Sequence, residues 1–394
     1  MFGTSEYAAR SLSAVFGILT VAVVFKIGRQ VGGADTALWS AFFAACSPLM
    51  IEYSRETRMY SLLVLLTCLA WWNLLRFRER STRPRMVLQA VLLSAMIYSH
   101  PLALLMVLAL GMGWVIDRSR TRLGPRSWLM IHIAAAALVA PWIRHYFDHA
   151  PEFTTGRLPI KFLLGVPIGF TGGDSRVLIV FLGLLFLGLR PIRGLSRYPK
   201  PATAWPLVVW LAIPPIVLYA YSLVSHPIFG PSRYNVFVAP AYLILVARGV
   251  ASLGRVTAAL IGGYLVQFVM TMAVLSIGDD QGVKADWRRA ALILARDSPG
   301  APVVVISPTP GRNFEFEVAR YYLVDGRKVI PMSDSDEVLF DALGDNPGTV
   351  VFVASRRGEA PLGDVPEVLT SHNRNVSNRD VRGLRLYWAR NVRR

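Results

Sequence analysis

The stretch SPLMIEYSRETRMY, Ser47–Tyr60, decides how the rest of the chain is read. It places Glu52, Arg55, Glu56 and Arg58 between two apolar runs, Ala37–Cys46 before it and Ser61–Trp72 after it. An ionised side chain at a bilayer centre costs about 2.5–3.5 kcal/mol on insertion scales, so this segment belongs at a membrane surface or in a wet cavity. Running as one helix, it would align Glu52, Glu56 and Tyr60 on one face at i, i+4 and i+8, with Arg55 beside them. The alternatives are an interfacial loop with self-paired charges and a membrane-edge polar site that handles an anionic group.

The surrounding composition fits a membrane setting. Of 394 residues, 54% are hydrophobic and only 17% are charged, with mean hydropathy +0.43. That is too apolar for an ordinary soluble chain of this length. The formal charge of +17 invites a nucleic-acid partner, but its distribution argues against one. Residues 1–277 hold 25 Lys and Arg against 9 Asp and Glu, whereas residues 278–394 hold 17 against 16. The surplus therefore lies in short loops between apolar spans, as the positive-inside rule requires, and we expect no nucleic acid among the partners. Cys46 and Cys68 both fall in apolar spans and read as packed thiols.

About ten spans emerge, near 11–27, 36–51, 59–75, 86–99, 101–116, 127–143, 176–190, 203–224, 234–252 and 256–277. Alternate loops are rich in arginine: 76–85, 118–126 and 190–200 among them. Those loops should be cytoplasmic, which places Ser47–Tyr60 outside the cell in the plasma membrane. The segment LPIKFLLGVPIGF, 158–170, reads either as an interfacial or re-entrant helix or as part of a long connecting loop.

The composition changes at Gly278. Strand-like runs at 301–307, 328–331 and 349–354 alternate with helical patterns at 285–297, 313–324 and 334–343, and a last strand near 384–389 adds an edge. The expected architecture is thus mainly α: a polytopic membrane domain over 1–277 and a small extracytoplasmic α/β domain over 278–394. No Gly-rich phosphate loop occurs, so no nucleotide cofactor is expected.

The candidate chemistry lies on the predicted outer edge: Glu6 and Arg10, Glu56 and Arg58, Tyr98 and His100, Arg233 and Tyr234. A histidine next to a proline at a helix end is often structural, and an arginine before a span often anchors to headgroups. Their convergence on one side favours a site. Arginine forks suit a phosphate or diphosphate, and a carboxylate suits a base or a ligand to a divalent metal. Together they point to a lipid-linked phosphate substrate.

These residues also carry a resemblance. FGTSEYAARSLSAVFGILTVAVVFKIGRQVGG, then ALWSAFFAACSPLMIEYSRETRMYSLLVLL, YSHPLALLMVLA, PSRYNVFVAPAYLILVARGV and DWRRAALILA, in this order, resemble the membrane glycosyltransferases of the C-type fold. The branch is the bacterial protein-O-mannosyltransferase-like one, which includes the aminoarabinose and Rgt-type sugar transferases. The resemblance implies transfer of a sugar, hexosyl or mannosyl in type, from a polyprenyl-phosphate donor to a glycan, lipid or protein acceptor, with inversion, outside the membrane. It implies Arg58 and Arg233 at the donor phosphate, Glu56 as the catalytic-site carboxylate that organises the site, and Tyr60, His100 and Tyr234 in substrate contact. It also implies a further helix and a first outer loop with an acidic pair ahead of GTSEYAAR. The sequence starts at Met1, just after where that loop would lie, so three expectations stand: the start is placed too late, the chain is a fragment, or the protein has lost its base and is inactive. A transporter or lipid flippase, or a non-catalytic membrane scaffold, are the alternatives. The flippase reading is weakened by charges that sit at span ends rather than mid-membrane.

Overall fold

The fold is taken from a computed structural model that describes residues 6–148, 160–171, 175–190, 204–224, 233–253, 261–263, 286–306, 319–320, 322–323, 328–332, 349–355, 374–381 and 384–391. The chain divides into two units, Met1–Val274 and Leu275–Arg394. It is mainly helical with one small sheet.

The first unit opens with α1, Glu6–Cys46, which is two helices meeting at Gly33 (φ 86°, ψ −165°). Only glycine adopts that conformation cheaply. The halves fold back on one another. A Cβ on Gly28 would meet Ser40 Oγ at 2.8 Å and Ala37 Cα at 3.0 Å, and one on Gly17 would collide with Ser54 Oγ. A single glycine therefore makes the turn between the first two expected spans.

The second expected span, 36–51, does not run through as one helix. It stops at Cys46, and Ser47 opens a new helix, α2 (Pro48–Ser54). Ser47 Oγ accepts the Met50 N–H, and Pro48 sits where a missing N–H costs nothing. The one-helix version of Ser47–Tyr60 also fails. Ser54 Oγ donates to Met50 O, and Arg55 N–H turns back to Glu52 O, which closes α2. Residues 55–59 bend, and α3 begins at Tyr60 (Tyr60–Arg76).

Then follow α4 (Arg83–Ser99), α5 (Ala103–Ile116) and α6 (Pro125–Asp148). Helix α7 (Lys161–Phe170) replaces the long-loop alternative for 158–170 with a short helix that packs on α2, α8 and α9. Helices α8 (Ser175–Gly188) and α9 (Trp205–Val224) come next. The expected span 234–252 starts with a 3-10 turn, Arg233–Val238, before α10 (Ala239–Ala251). Pro240 cannot donate to the carbonyl four residues back, which leaves the tighter turn in place ahead of α10. Of the expected span 256–277, residues 261–263 are helical and the remainder lies outside the described residues.

Among the described residues, three helical stretches are long and apolar enough to cross a membrane: Arg10–Cys46, Trp205–Val224 and Tyr234–Ala251. Tyr60–Arg76, Ala103–Ile116 and Arg176–Gly188 are shorter apolar helices. Large apolar side chains point outward along the bundle, including Leu12, Ile18, Leu104, Ile133, Ile179 and Phe186. So much exposed apolar surface on a folded chain marks contact with lipid or protein.

Inside the bundle, α10 is the hub. Gly188 of α8 and Gly249 of α10 sit so close that a Cβ on either would collide with the Leu245 or Leu184 carbonyl of the other helix. Arg248, fully buried, donates to the Gly188, Val31 and Arg190 carbonyls. One guanidinium thus ties the end of the first half of α1 to the end of α8.

In the second unit, Asp286 caps α11 (Trp287–Asp297) by accepting the Arg289 N–H at 3.0 Å. The strands are β1 (Val303–Ile306), β2 (Val329–Met332), β3 (Val350–Ser355), β4 (Arg374–Val381) and β5 (Leu384–Asn391), in the order β2-β1-β3-β5-β4. β1 pairs in parallel with β2 and β3; β5 pairs antiparallel with β3 and β4. The expected edge strand at 384–389 is therefore internal, because the polar run RNVSNRDV supplies a further strand outside it. Trp287, Ala290, Ile293 and Leu294 of α11 share one core with Val303, Val305, Val351, Val353, Leu386 and Trp388. The helical expectation at 334–343 lies outside the described residues, as does most of 313–324.

Candidate functional site

Pro101 builds the centre of the candidate site. A residue before proline is pushed out of the helical region. His100 accordingly leaves α4 in extended backbone (φ −164°, ψ 138°), and its ring turns toward the start of α5. His100 Nδ1 accepts the Leu102 N–H at 3.0 Å. The ring proton of the neutral imidazole is therefore on Nε2, which is left as a donor. Burial pushes this imidazole down to about 4 from its ordinary value of 6.5.

Three of the expected residues meet around that ring. Tyr60 lies 5.8 Å from His100 between ring centroids, and Tyr234 lies 6.3 Å away on the other element. Tyr53 extends the chain with an edge-to-face contact to Tyr60 at 5.3 Å. Residues from α2, the start of α3, the α4–α5 turn and the 3-10 turn before α10 thus converge at one end of the helices. Tyr60 and His100 are buried, and Tyr234 is half-buried.

The expected charged residues lie on or next to these elements along the chain. Glu56 is half-buried in the 55–59 bend, and Arg55 and Arg58 are exposed there. Glu52 is exposed on α2. Arg233 opens the 3-10 turn next to Tyr234, and its side chain lies outside the described residues, as does that of Glu6. Arg10 is exposed near the start of α1. Tyr98 does not join the row. Its hydroxyl donates to Leu138 O at 2.8 Å and its ring meets Trp142 at 5.8 Å, so it serves the α4–α6 contact.

Sequence reasoning missed four contributors. Tyr53 packs on Tyr60, and Asn235 is fully buried one residue after Tyr234. Ser54 and Ser61 line a small crevice with Gly17, Thr20, Tyr53 and Val236, and Ser61 Oγ is buried there without a hydrogen-bond partner among the described residues. The available signal was a small polar residue inside the charged stretch, Ser54, and another just after it, Ser61. No group of three or more His, Cys, Asp or Glu side chains gathers among the described residues. A divalent ion would need ligands from elsewhere.

Residues 1–145 match the family model of dolichyl-phosphate-mannose-protein mannosyltransferase. The chain is similar to the crystal structure of ArnT from Cupriavidus metallidurans in the apo state, with TM-score 0.62 and 15% identity over 98% of this chain and 84% of that one. It is also similar to the same protein bound to undecaprenyl phosphate, with TM-score 0.57, 15% identity and coverage of 98% and 85%. The Archaeoglobus fulgidus oligosaccharyltransferase in the apo form gives TM-score 0.51 and 9% identity over 89% of this chain and 59% of that one. No curated protein sequence matches the chain. The chain has the C-type glycosyltransferase fold, and the resemblance to the protein-O-mannosyltransferase-like branch read from the sequence holds.

Proposed function

We propose that the chain is a membrane glycosyltransferase that moves a sugar, hexosyl or mannosyl in type, from a polyprenyl-phosphate donor to a glycan, lipid or protein acceptor. The observation that carries this reading is the convergence of Tyr60, His100 and Tyr234 at the helix end beside Glu56 and Arg58. ArnT, whose fold this chain shares, has been seen with undecaprenyl phosphate bound, which supports a donor of that class. In this reading about ten spans hold the bundle in the plasma membrane, with residues 278–394 on the same outer side as the site.

The chemistry follows from the donor. The acceptor oxygen forms a bond to the anomeric carbon, and the bond from that carbon to the phosphate oxygen breaks with its electron pair. Polyprenyl phosphate leaves, and a base takes the acceptor proton. Arg58 and Arg233 meet the phosphate charge, which grows as the bond breaks. His100 contributes a neutral Nε2–H to a donor oxygen, and Tyr60 and Tyr234 hold its ring in place. Glu56 orients the polar groups of the bend.

The test is binding of undecaprenyl phosphate to the purified chain, followed as the rise in melting temperature with lipid concentration. Saturable stabilisation that Arg58→Ala weakens about tenfold is expected for one charge-assisted contact. No saturable effect, with a folded protein, would remove the donor assignment.

A further inference from the structure

At the opposite end of the same helices the chain builds a second charged surface, and it is rigid. The segments 76–85 and 117–126 carry nine arginines and two acids. Both acids are already engaged. Asp117 takes a bidentate pair from Arg78 (2.5 and 2.9 Å), with Arg120 at 3.9 Å, and Glu79 faces Arg85 at 3.6 Å. The two loops are stapled further by Arg122 N–H to Phe77 O at 2.9 Å. Arg85 donates to the Arg76 and Arg80 carbonyls, which fixes the 77–82 turn from within. What remains facing outward is Arg80, Arg83, Arg118, Arg122 and Arg126, all exposed.

A second observation says what such a surface meets. Indole rings stand at the level of the arginines. Arg76 lies 5.0 Å over Trp72, Arg118 lies 5.2 Å over Trp114, and Trp114 stacks on Trp128 at 5.2 Å. Trp114 Nε1 donates to Leu123 O, so its polar edge faces the loop and its body faces the bundle. Leu129 and Met130, just past Trp128, are exposed apolar side chains, and Val87, Val115 and Ile116 expose aliphatic carbon at the level of the indoles. Charge, then indole, then exposed aliphatic carbon, within about two helical turns, is the order of a phospholipid: headgroup, interface, acyl chain. A soluble polyanion offers nothing for the aliphatic strip.

We propose that the stapled loops 76–85 and 117–126 form a binding surface for anionic phospholipid headgroups, distinct from the site at the other end of the helices. It extends the proposed function without resting on it, since neither sugar nor polyprenyl chain is involved. Each exposed arginine near an anionic surface contributes about a fivefold gain in affinity, which salt screens.

The experiment uses the full chain in nanodiscs of phosphatidylcholine alone or mixed with phosphatidylglycerol. The readouts are the melting temperature and the lipids retained in native mass spectrometry. Phosphatidylglycerol is expected to raise the melting temperature and to remain bound, with both effects falling as salt rises. A triple variant, Arg80→Gln, Arg118→Gln and Arg122→Gln, is expected to lose about a hundredfold in retention. Arg288→Gln with Arg289→Gln, on exposed positions of α11, removes two charges elsewhere and is expected to leave retention unchanged. Equal behaviour in the two lipids, or loss of retention in the α11 control as large as in the triple variant, overturns the proposal. So does stabilisation by glycerol phosphate that matches phosphatidylglycerol, because the surface would then bind a free phosphate. A triple variant that fails to fold is replaced by the three Arg→Lys changes, which must keep retention.

Discussion

Replacing His100 separates two jobs that one ring performs. Nδ1 accepts the Leu102 N–H at 3.0 Å and holds the α4–α5 turn, while Nε2 is, in the function proposed above, the donor offered to the substrate. His100→Ala removes both. It strands a half-buried amide and deletes ring contacts to Tyr60 and Tyr234, together about 2–4 kcal/mol of stability. His100→Asn keeps an acceptor close to the Leu102 N–H in the manner of an Asx turn, and loses mainly the ring contacts, about 1–2 kcal/mol. His100→Gln reaches the Nε2 position and abandons the Leu102 contact. Loss of a hydrogen bond to a charged phosphate oxygen costs about 1.5–3 kcal/mol, or roughly ten- to a hundredfold in transfer rate. The assay is denaturation of the purified chain alongside transfer of labelled sugar in membranes. Stability should rank wild type, Asn, Ala, with transfer lost in Asn and partly kept in Gln. If Asn transfers as well as wild type, His100 is a structural residue and its role in the site is wrong.

Other expectations follow from the same geometry. His100 has a lower affinity for protons folded than unfolded, so stability should fall as pH drops from about 6.5 toward 4 and be flat above that window, read from chemical denaturation at stepped pH. Transfer should accordingly show no limb from His100 between about pH 5 and 8, its ring being neutral throughout. Gly249→Val drives a side chain into the Leu184 carbonyl and should destabilise the bundle by about 1–3 kcal/mol, with lower yield in detergent. Trp388→Phe removes the 2.7 Å bond to the buried Ser298 hydroxyl and should cost about 1–3 kcal/mol in the second unit, measured on the full chain by hydrogen exchange of β3 and β5.

Local sequence signals fixed several of these features. The break at His100-Pro101 fell between two expected spans, as the structure has it, whereas the helix start at Ser47-Pro48 was missed inside the expected span 36–51. The charged stretch did sit between apolar helices, next to the aromatic residues expected to join it. What escaped the sequence depended on distance along the chain. Tyr53 in the charged stretch and Ser61 in the apolar run after it carried no signal of their own until folding set one against Tyr60 and the other in the crevice beside Gly17. Tyr98 was grouped with His100 by adjacency, yet helical geometry points it toward Leu138. β4 was invisible because RNVSNRDV is polar and mostly exposed. An edge strand needs only one partner and takes its pairing from β5 rather than from burial.

The proposed cleavage of a sugar from a polyprenyl phosphate at the Ser47–Tyr60 end is read from membranes that hold the chain and are given an undecaprenyl-phosphate donor labelled in the sugar. Labelled acceptor and free undecaprenyl phosphate are expected, both reduced about tenfold or more by Arg58→Ala. Labelled donor that crosses the bilayer intact, with no sugar released, would rule out the transferase and make the protein a carrier.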